Sequence, residues 1–133
     1  MTLLFAYPGN EKLAKSLVGR TACKPGVMKI HCFPDGENLV TLETDVRDRD
    51  ILLLCSLDRA DEKALNIMFF SQTAKDLGAR SVGLVAPYLG YMRQVKRFHE
   101  GEALPPSIFA TFISQYFDGL ASVDPLLLRH QFM

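Results

Sequence analysis

An aromatic ring and two carboxylates lie within one short segment of the chain, Phe33-Pro34-Asp35-Gly36-Glu37. A ring of this kind can stack on a nucleobase, and the carboxylates of Asp35 and Glu37 can accept hydrogen bonds from its amino group. The same residues are also typical of a tight hairpin turn, because Asp-Gly is a common turn dipeptide. Spacing alone favours a plain hairpin turn over a ligand site.

Two further segments combine charged and polar residues directly after apolar runs. Residues 56–63 read SLDRADEK, and helix capping with surface ion pairs explains most of that composition. Residues 87–98 read PYLGYMRQVKRF, with three cations beside two tyrosines and a phenylalanine. That mixture suits contacts with a polyphosphate and a base. Since Tyr88, Tyr91 and Phe98 would be costly to leave in water, we favour ligand binding over a solvated loop here.

Alternating strand-like and helix-like patterns must position these segments. Strands are predicted at residues 2–7, 27–33, 38–42, 51–57, 81–86 and 120–123, and helices at 11–18, about 58–77 and 106–116. Asp58 or Asp61 is predicted to cap the second helix. Its apolar positions suit packing on a sheet, namely Leu65, Met68, Phe69, Phe70 and Leu77.

This order predicts one α/β domain over residues 1–133, with a mostly parallel sheet flanked by helices. Residues 27–42 are predicted to form a hairpin, and the charged run 47–50 a solvated loop. Ligands of open parallel sheets bind beyond the carboxyl ends of the strands. The segments at 56–63 and 87–98 follow predicted strands and therefore lie at that end of the sheet.

Charge and hydropathy exclude several classes of partner. Lysine plus arginine equals aspartate plus glutamate at 15 each, so no global field attracts nucleic acid or an anionic membrane. No apolar run reaches the roughly 20 residues that span a bilayer. We therefore expect neither nucleic acid nor a membrane as a partner.

The cysteines indicate a reducing compartment. Cys23, Cys32 and Cys55 form no Cys-x-x-Cys pair, and any disulfide scheme would leave one over. Cys32 and Cys55 lie in apolar strand-like runs and are predicted to be small core residues. We expect reduced cysteines and a cytoplasmic protein.

Four segments, taken together and in order, resemble the ribose-phosphate pyrophosphokinases. They are residues 33–37, 55–63, 73–80 and 86–94, which read FPDGE, CSLDRADEK, TAKDLGAR and APYLGYMRQ. Enzymes of that family make phosphoribosyl pyrophosphate from ATP and ribose 5-phosphate. The similarity runs in register over nearly the whole chain. It implies the phosphoribosyltransferase-like fold of the family's N-terminal domain.

The resemblance also implies roles for particular residues. Phe33, Asp35 and Glu37 would contact the adenine of an ATP molecule bound mainly by a neighbouring subunit. Arg93 and Gln94 would contact the same nucleotide. The chain would then be the ATP-binding half of a homo-oligomer, and Mg²⁺ would accompany the ATP.

Two positions depart from the family pattern. Val95 stands where the family usually has aspartate, and Leu126 stands where it has a histidine that helps to hold magnesium. A leucine cannot ligate a metal ion. His130 lies four residues further on and would point elsewhere unless the loop is rebuilt. We therefore predict no metal ligand and no catalytic residue in this chain.

The resemblance covers only the first half of the family enzymes. The second half carries a catalytic lysine and arginine and the acidic, glycine-rich loop that holds ribose 5-phosphate, and nothing in these 133 residues resembles it. We expect a domain that is not a complete enzyme by itself, with ribose 5-phosphate as a partner only where a C-terminal half exists. The apolar residues 126–128 predict self-association.

Two other interpretations remain open. The chain could be a non-catalytic relative that senses nucleotides or regulates active paralogues, which Val95 and Leu126 favour. It could also be a folded domain that retains no ligand.

Overall fold

A computed structural model of the protein describes residues 1–91 and 96–122. Its strands are β1 (Thr2–Ala6), β2 (Lys24–Gly26), β3 (Met28–Cys32), β4 (Asn38–Leu42), β5 (Asp50–Leu54), β6 (Ser81–Val85) and β7 (Gly119–Ala121). Its helices are α1 (Glu11–Arg20), α2 (Ala60–Asp76) and α3 (Pro105–Tyr116). Within the described residues, no helix is both long and apolar enough to cross a membrane.

Five parallel strands form the main sheet in the order β2-β1-β5-β6-β7. The central strands β1, β5 and β6 are almost continuously apolar, as strands covered on both faces must be. On one face, alternate residues such as Phe5 and Leu53 pack with Ile67 and Phe70 of α2. Alternate residues facing the other way, including Leu4 and Leu54, pack with α1. The predicted α/β fold class is confirmed.

The chain reverses its direction of travel across the sheet between β1 and β5. From β1 it goes outward to the edge strand β2, whereas β5, β6 and β7 proceed to the other edge. Such a reversal opens a crevice at the carboxyl ends of the two strands. Strand β2 was absent from the sequence prediction, since Lys24-Pro25-Gly26 has no apolar run and its proline suits only an edge.

Strands β3 and β4 form a separate antiparallel hairpin. Met28, Ile30, Val40 and Leu42 pack one face of this hairpin against the core, and β4 contacts α2. The opposite face is solvent-exposed. The predicted hairpin at 27–42 is confirmed, although Cys32 is exposed rather than buried because it belongs to the last ladder pair before the turn.

Helix α2 buries a different stripe from the one that the sequence indicated. Ile67, Phe70 and Ala74 are fully buried at the helical spacing of three and four residues. Leu65, Phe69 and Leu77 were predicted to pack on the sheet, but they are 60%, 40% and 49% exposed. They project from the helix outside the stripe that meets the sheet.

The start of α2 also differs from the prediction. Neither Asp58 nor Asp61 caps the helix; the residue before the first turn is Arg59, in a left-handed conformation with φ of 54° and no side-chain capping bond. Asp58 instead pairs with Lys63 at 3.1 Å. The positive end of the helix is still matched by acidic residues in the first turn, Asp61 and Glu62.

Candidate functional site

The polar groups at the crevice between β1 and β5 form hydrogen bonds with one another. Asn10 Oδ1 accepts a hydrogen bond from the Ser56 backbone N–H at 3.1 Å. Lys63 Nζ, on a largely buried side chain, donates to the Ser56 carbonyl at 2.8 Å and to Asp58 Oδ1 at 3.1 Å. The hydrogen bond from Lys63 holds the pKa of Asp58 below its usual value. These groups satisfy one another, so a ligand has few free donors to use here.

A buried amide continues this polar network toward the hairpin. Asn66 Nδ2 donates to the Tyr7 hydroxyl oxygen at 3.0 Å, and Asn66 Oδ1 accepts from Asn38 Nδ2 at 3.3 Å. Burial raises the pKa of Tyr7, so its hydroxyl stays protonated. Asn38 begins β4, directly after the segment 33–37. The network therefore connects the sheet, α2 and the hairpin.

The segment 33–37 is a closed turn held by its own hydrogen bonds. The Phe33 N–H donates to the Glu37 carbonyl at 2.8 Å, and the Gly36 N–H donates to the Phe33 carbonyl at 2.9 Å. Asp35 Oδ1 accepts from the Glu37 N–H at 3.0 Å. Gly36 has φ of +92°, a conformation that residues with a Cβ rarely adopt. The turn is thus fixed before any ligand arrives.

This turn presents the groups that the sequence singled out. The Phe33 ring is 42% exposed and meets His31 edge-on, with ring centroids 4.6 Å apart. Asp35 uses one oxygen in the turn, while within residues 1–91 and 96–122 the Glu37 carboxylate has neither an ion-pair nor a hydrogen-bond partner. An exposed ring beside free carboxylate oxygens is a suitable surface for an amino-substituted base.

A groove of about 430 Å³ lies between the turn and α2. It is lined by Asp35, Gly36, Glu37 and Asn38 of the hairpin and by Leu65, Asn66 and Phe69 of α2. The exposed side chains of Leu65 and Phe69 are thus part of a ligand-sized groove. The three predicted hairpin residues come together around the same turn, while Arg93 and Gln94 lie outside the described residues.

The segment after β6 forms a second cavity of about 490 Å³ at the carboxyl ends of β5 and β6. Tyr88 and Tyr91 line it together with Arg59 and the first turn of α2. A backbone hydrogen bond of 2.7 Å from Leu57 to Tyr88 holds the two loops together. Tyr88 and Tyr91 are each 39% exposed and Phe98 is 71% exposed, so these rings are open to a ligand, and ligand binding by this segment stays a prediction.

The described residues contain no cluster of three or more histidine, cysteine, aspartate or glutamate side chains that could hold a metal ion. Val95, Leu126 and His130, on which the sequence argument about magnesium rests, lie outside the described residues.

Comparison with known proteins identifies the family. A family model described as the N-terminal domain of ribose phosphate pyrophosphokinase matches residues 2–116. The chain belongs to this family. A ribose-phosphate pyrophosphokinase of Methanobrevibacter smithii is 40% identical over 81 residues, which is 61% of this chain and 27% of that protein. The enzyme of Saccharolobus solfataricus is 40% identical over 95 residues, or 70% of this chain and 33% of that protein.

A solved structure of a pyrophosphokinase has the same fold as this chain. The phosphoribosylpyrophosphate synthetase from Mycobacterium smegmatis superposes with a TM-score of 0.79, at 21% identity, over 92% of this chain and 42% of that one. The chain therefore spans less than half the length of these pyrophosphokinase relatives. The likeness concerns the fold and the N-terminal domain.

Tyr7, Asn38 and Asn66 are not among the residues that the sequence singled out for function. One signal was available, because Asn66 stands between Leu65 and Ile67 in a helical segment that is otherwise apolar. A polar side chain in such a stripe is buried only with hydrogen-bond partners. The partners themselves, 59 and 28 residues away, could not be found without the fold.

Proposed function

We propose that this chain supplies ATP contacts for the reaction of a ribose-phosphate pyrophosphokinase, the transfer of a diphosphoryl group from ATP to ribose 5-phosphate. The observation that carries the proposal is the turn at 33–37, where an exposed ring lies beside free carboxylate oxygens. Membership of the family supports it, since pyrophosphokinases with this N-terminal domain are named for that reaction.

The chemistry assigned to the turn is recognition of adenine. Phe33 stacks on the base, a contact worth about 1 to 3 kcal/mol for an aromatic side chain. The carboxylate oxygens of Asp35 and Glu37 accept hydrogen bonds from the amino group of the base. Arg93 and Gln94 complete the nucleotide contacts. Mg²⁺ enters as the partner of the ATP phosphates, whose charge it neutralises.

The position of the hairpin supports a site shared between subunits of a homo-oligomer. Only one face of the hairpin packs on its own domain, while the other face, which carries His31 and Leu39, is open to solvent. The turn at its end is therefore free to reach an ATP molecule on a neighbouring subunit. Ribose 5-phosphate joins as the acceptor where a C-terminal half is present, and its 1-hydroxyl attacks the β-phosphorus while AMP leaves.

The preference of the protein for ATP over GTP tests this proposal. Mg·ATP at 100 times its Kd should stabilise the protein by about 2.7 kcal/mol in thermal unfolding. Mg·GTP should stabilise it less, because guanine presents a carbonyl oxygen where adenine presents an amino group, and a carboxylate facing that oxygen loses its hydrogen bond at a cost of about 1 to 3 kcal/mol.

Two variants on the same hairpin sharpen the test. Glu37→Gln should reduce the preference for ATP over GTP, because an amide can donate to the guanine oxygen. Glu43→Gln is the matched control, since Glu43 pairs with Lys29 at 3.1 Å, away from the turn. The absence of any shift with millimolar Mg·ATP would rule out the proposal.

A second function is favoured by Val95 and Leu126, which replace the aspartate and the magnesium-holding histidine that the resemblance implies. In that case the chain binds nucleotide and regulates active paralogues without taking part in transfer. Co-expression with an active pyrophosphokinase distinguishes the two. A regulatory subunit would change the ATP dependence of the active partner, whereas a domain that only supplies contacts for its own transfer reaction would leave it unchanged.

A further inference from the structure

One amide is the polar connection between the sheet and the hairpin. Asn66 is only 4% exposed, in the middle of α2. Among the described residues, Asn66 and Ser71 are the buried polar side chains, and both belong to this helix. A buried amide without partners is costly, so its hydrogen bonds determine where neighbouring groups lie.

The two hydrogen bonds of Asn66 connect it to two different parts of the fold. Its Nδ2 donates at 3.0 Å to Tyr7, the residue that follows β1 in the main sheet. Its Oδ1 accepts at 3.3 Å from Asn38, the first residue of β4. Ser71 has no such connection, because its hydroxyl donates to the Tyr116 carbonyl at the end of α3.

Asn38 is the base of the turn that carries the candidate ATP contacts. It directly follows Glu37 and pairs with Cys32 in the last step of the hairpin ladder. Further down the hairpin, Val40 and Leu42 pack by apolar contact, which is not directional. The hydrogen bond to Asn66 is directional, and Asn66 lines the groove beneath the turn.

From this connectivity we propose that Asn66 is a positioning residue: through Asn38 it holds the turn at 33–37 in place over α2, and so sets the affinity of the site for an adenine nucleotide. The effect on affinity rests on the proposed function. The effect on the position of the turn is independent of it and can be tested without a nucleotide.

The first measurement concerns the turn alone. The chain contains no tryptophan, so Phe33→Trp places a single, selectively excitable tryptophan on the turn. Adding Asn66→Leu should lower the fluorescence anisotropy of that tryptophan, because the turn as a whole can then move relative to α2. Asn66→Asp should retain most of the anisotropy, since a carboxylate can accept from both the Asn38 amide and the Tyr7 hydroxyl. Ser71→Ala is the matched control and should leave the anisotropy unchanged.

The second measurement concerns the nucleotide. With Phe33 retained, Asn66→Leu should raise the Kd for Mg·ATP about tenfold, as expected when one hydrogen bond that orders the site is lost. Ser71→Ala should bind Mg·ATP as the unmodified chain does. If the Asn66→Leu variant does not fold, Asn38→Ala replaces it in both measurements. This variant removes the same hydrogen bond by changing the other, half-buried partner.

The outcomes separate the two ideas. Equal anisotropy in Asn66→Leu, Asn38→Ala and Ser71→Ala would overturn the positioning role, whatever the nucleotide does. Lowered anisotropy with an unchanged Kd would overturn the link to affinity. If the unmodified chain does not bind Mg·ATP, the proposed function fails, while the anisotropy still decides whether Asn66 holds the turn.

Discussion

Burial places the cysteine thiols in different chemical environments. Cys32 is exposed, Cys23 is half-buried and Cys55 is fully buried at the end of β5. Burial raises the pKa of the Cys55 thiol to about 12, and the nearby Lys63 opposes this only in part. At pH 8 almost all of the Cys55 thiol is then in the unreactive, protonated form.

Thiol labelling is therefore expected to be sequential. At pH 8 an aromatic disulfide reagent should modify Cys32 fastest, Cys23 more slowly, and Cys55 only when the protein unfolds. Cys55→Ala should remove the slowest phase and leave the other phases as they are. Rapid native-state labelling of three thiols per chain would contradict the buried position of Cys55.

Local chemistry at the residue scale was partly predictable. Asp35-Gly36 predicted the turn, and the turn formed because glycine accepts a positive φ while the aspartate side chain bonds to the backbone two residues on. The exposure of Cys32 was not predictable, since strand alternation gives the face of a residue and not how far the hairpin extends beyond the helix below it.

At the scale of elements, Asp50 ties together the amino-terminal ends of two neighbouring strands. The charged run at 47–50 was predicted to be a solvated loop, but Asp50 opens β5 and lies opposite Ser81 in β6. Its Oδ1 accepts hydrogen bonds from Arg80 Nε at 3.0 Å and from Ser81 Oγ at 2.7 Å. The hydrogen bonds from Arg80 and Ser81 hold the pKa of Asp50 well below its usual value.

This pKa shift predicts a particular response to acid. Because the folded-state pKa of Asp50 is lowered, its contribution to stability is present above the unfolded pKa of about 3.9 and is lost as the pH falls below that value. The free energy of unfolding should therefore fall less between pH 7 and pH 3 in Asp50→Asn than in the unmodified chain.

Asp48→Asn is the matched control for the acid response, since it removes a neighbouring negative charge and leaves the hydrogen bonds of Asp50 intact. It should lose stability on acidification as the unmodified chain does. Identical acid dependence in Asp50→Asn and the unmodified chain, followed by urea unfolding, would show that the contacts of Asp50 do not contribute.

The sequence predicted which elements exist better than how they pack. Alternating runs indicated the three helices and the central strands, because a strand buried on both faces must be apolar. The same reasoning could not separate Phe70, which is buried, from Phe69, which lines the groove. The two positions differ by about 100° around the helix, and only the direction of the sheet decides between them.

At the scale of the whole molecule, the parallel sheet is accompanied by a separate antiparallel hairpin, which packs one face against the core. The order of elements predicted the α/β class, and the match to the pyrophosphokinase domain covers residues 2–116. The edge strand β2 and the polar bridge from Tyr7 to Asn38 depend on contacts distant in sequence, so no local pattern predicted them. We propose that the turn of this hairpin contacts ATP on a neighbouring subunit.

The most direct test titrates Mg·ATP into Phe33→Ala, with sedimentation recording the oligomeric state at each protein concentration. In the oligomer we predict a Kd about tenfold or more above that of the unmodified chain, as expected for one lost stacking contact. In the dissociated monomer the two chains should bind equally, and Leu77→Ala, another exposed apolar position, should match the unmodified chain throughout. An unchanged Kd in the oligomer, or an equal loss in a verified monomer, would contradict the shared site.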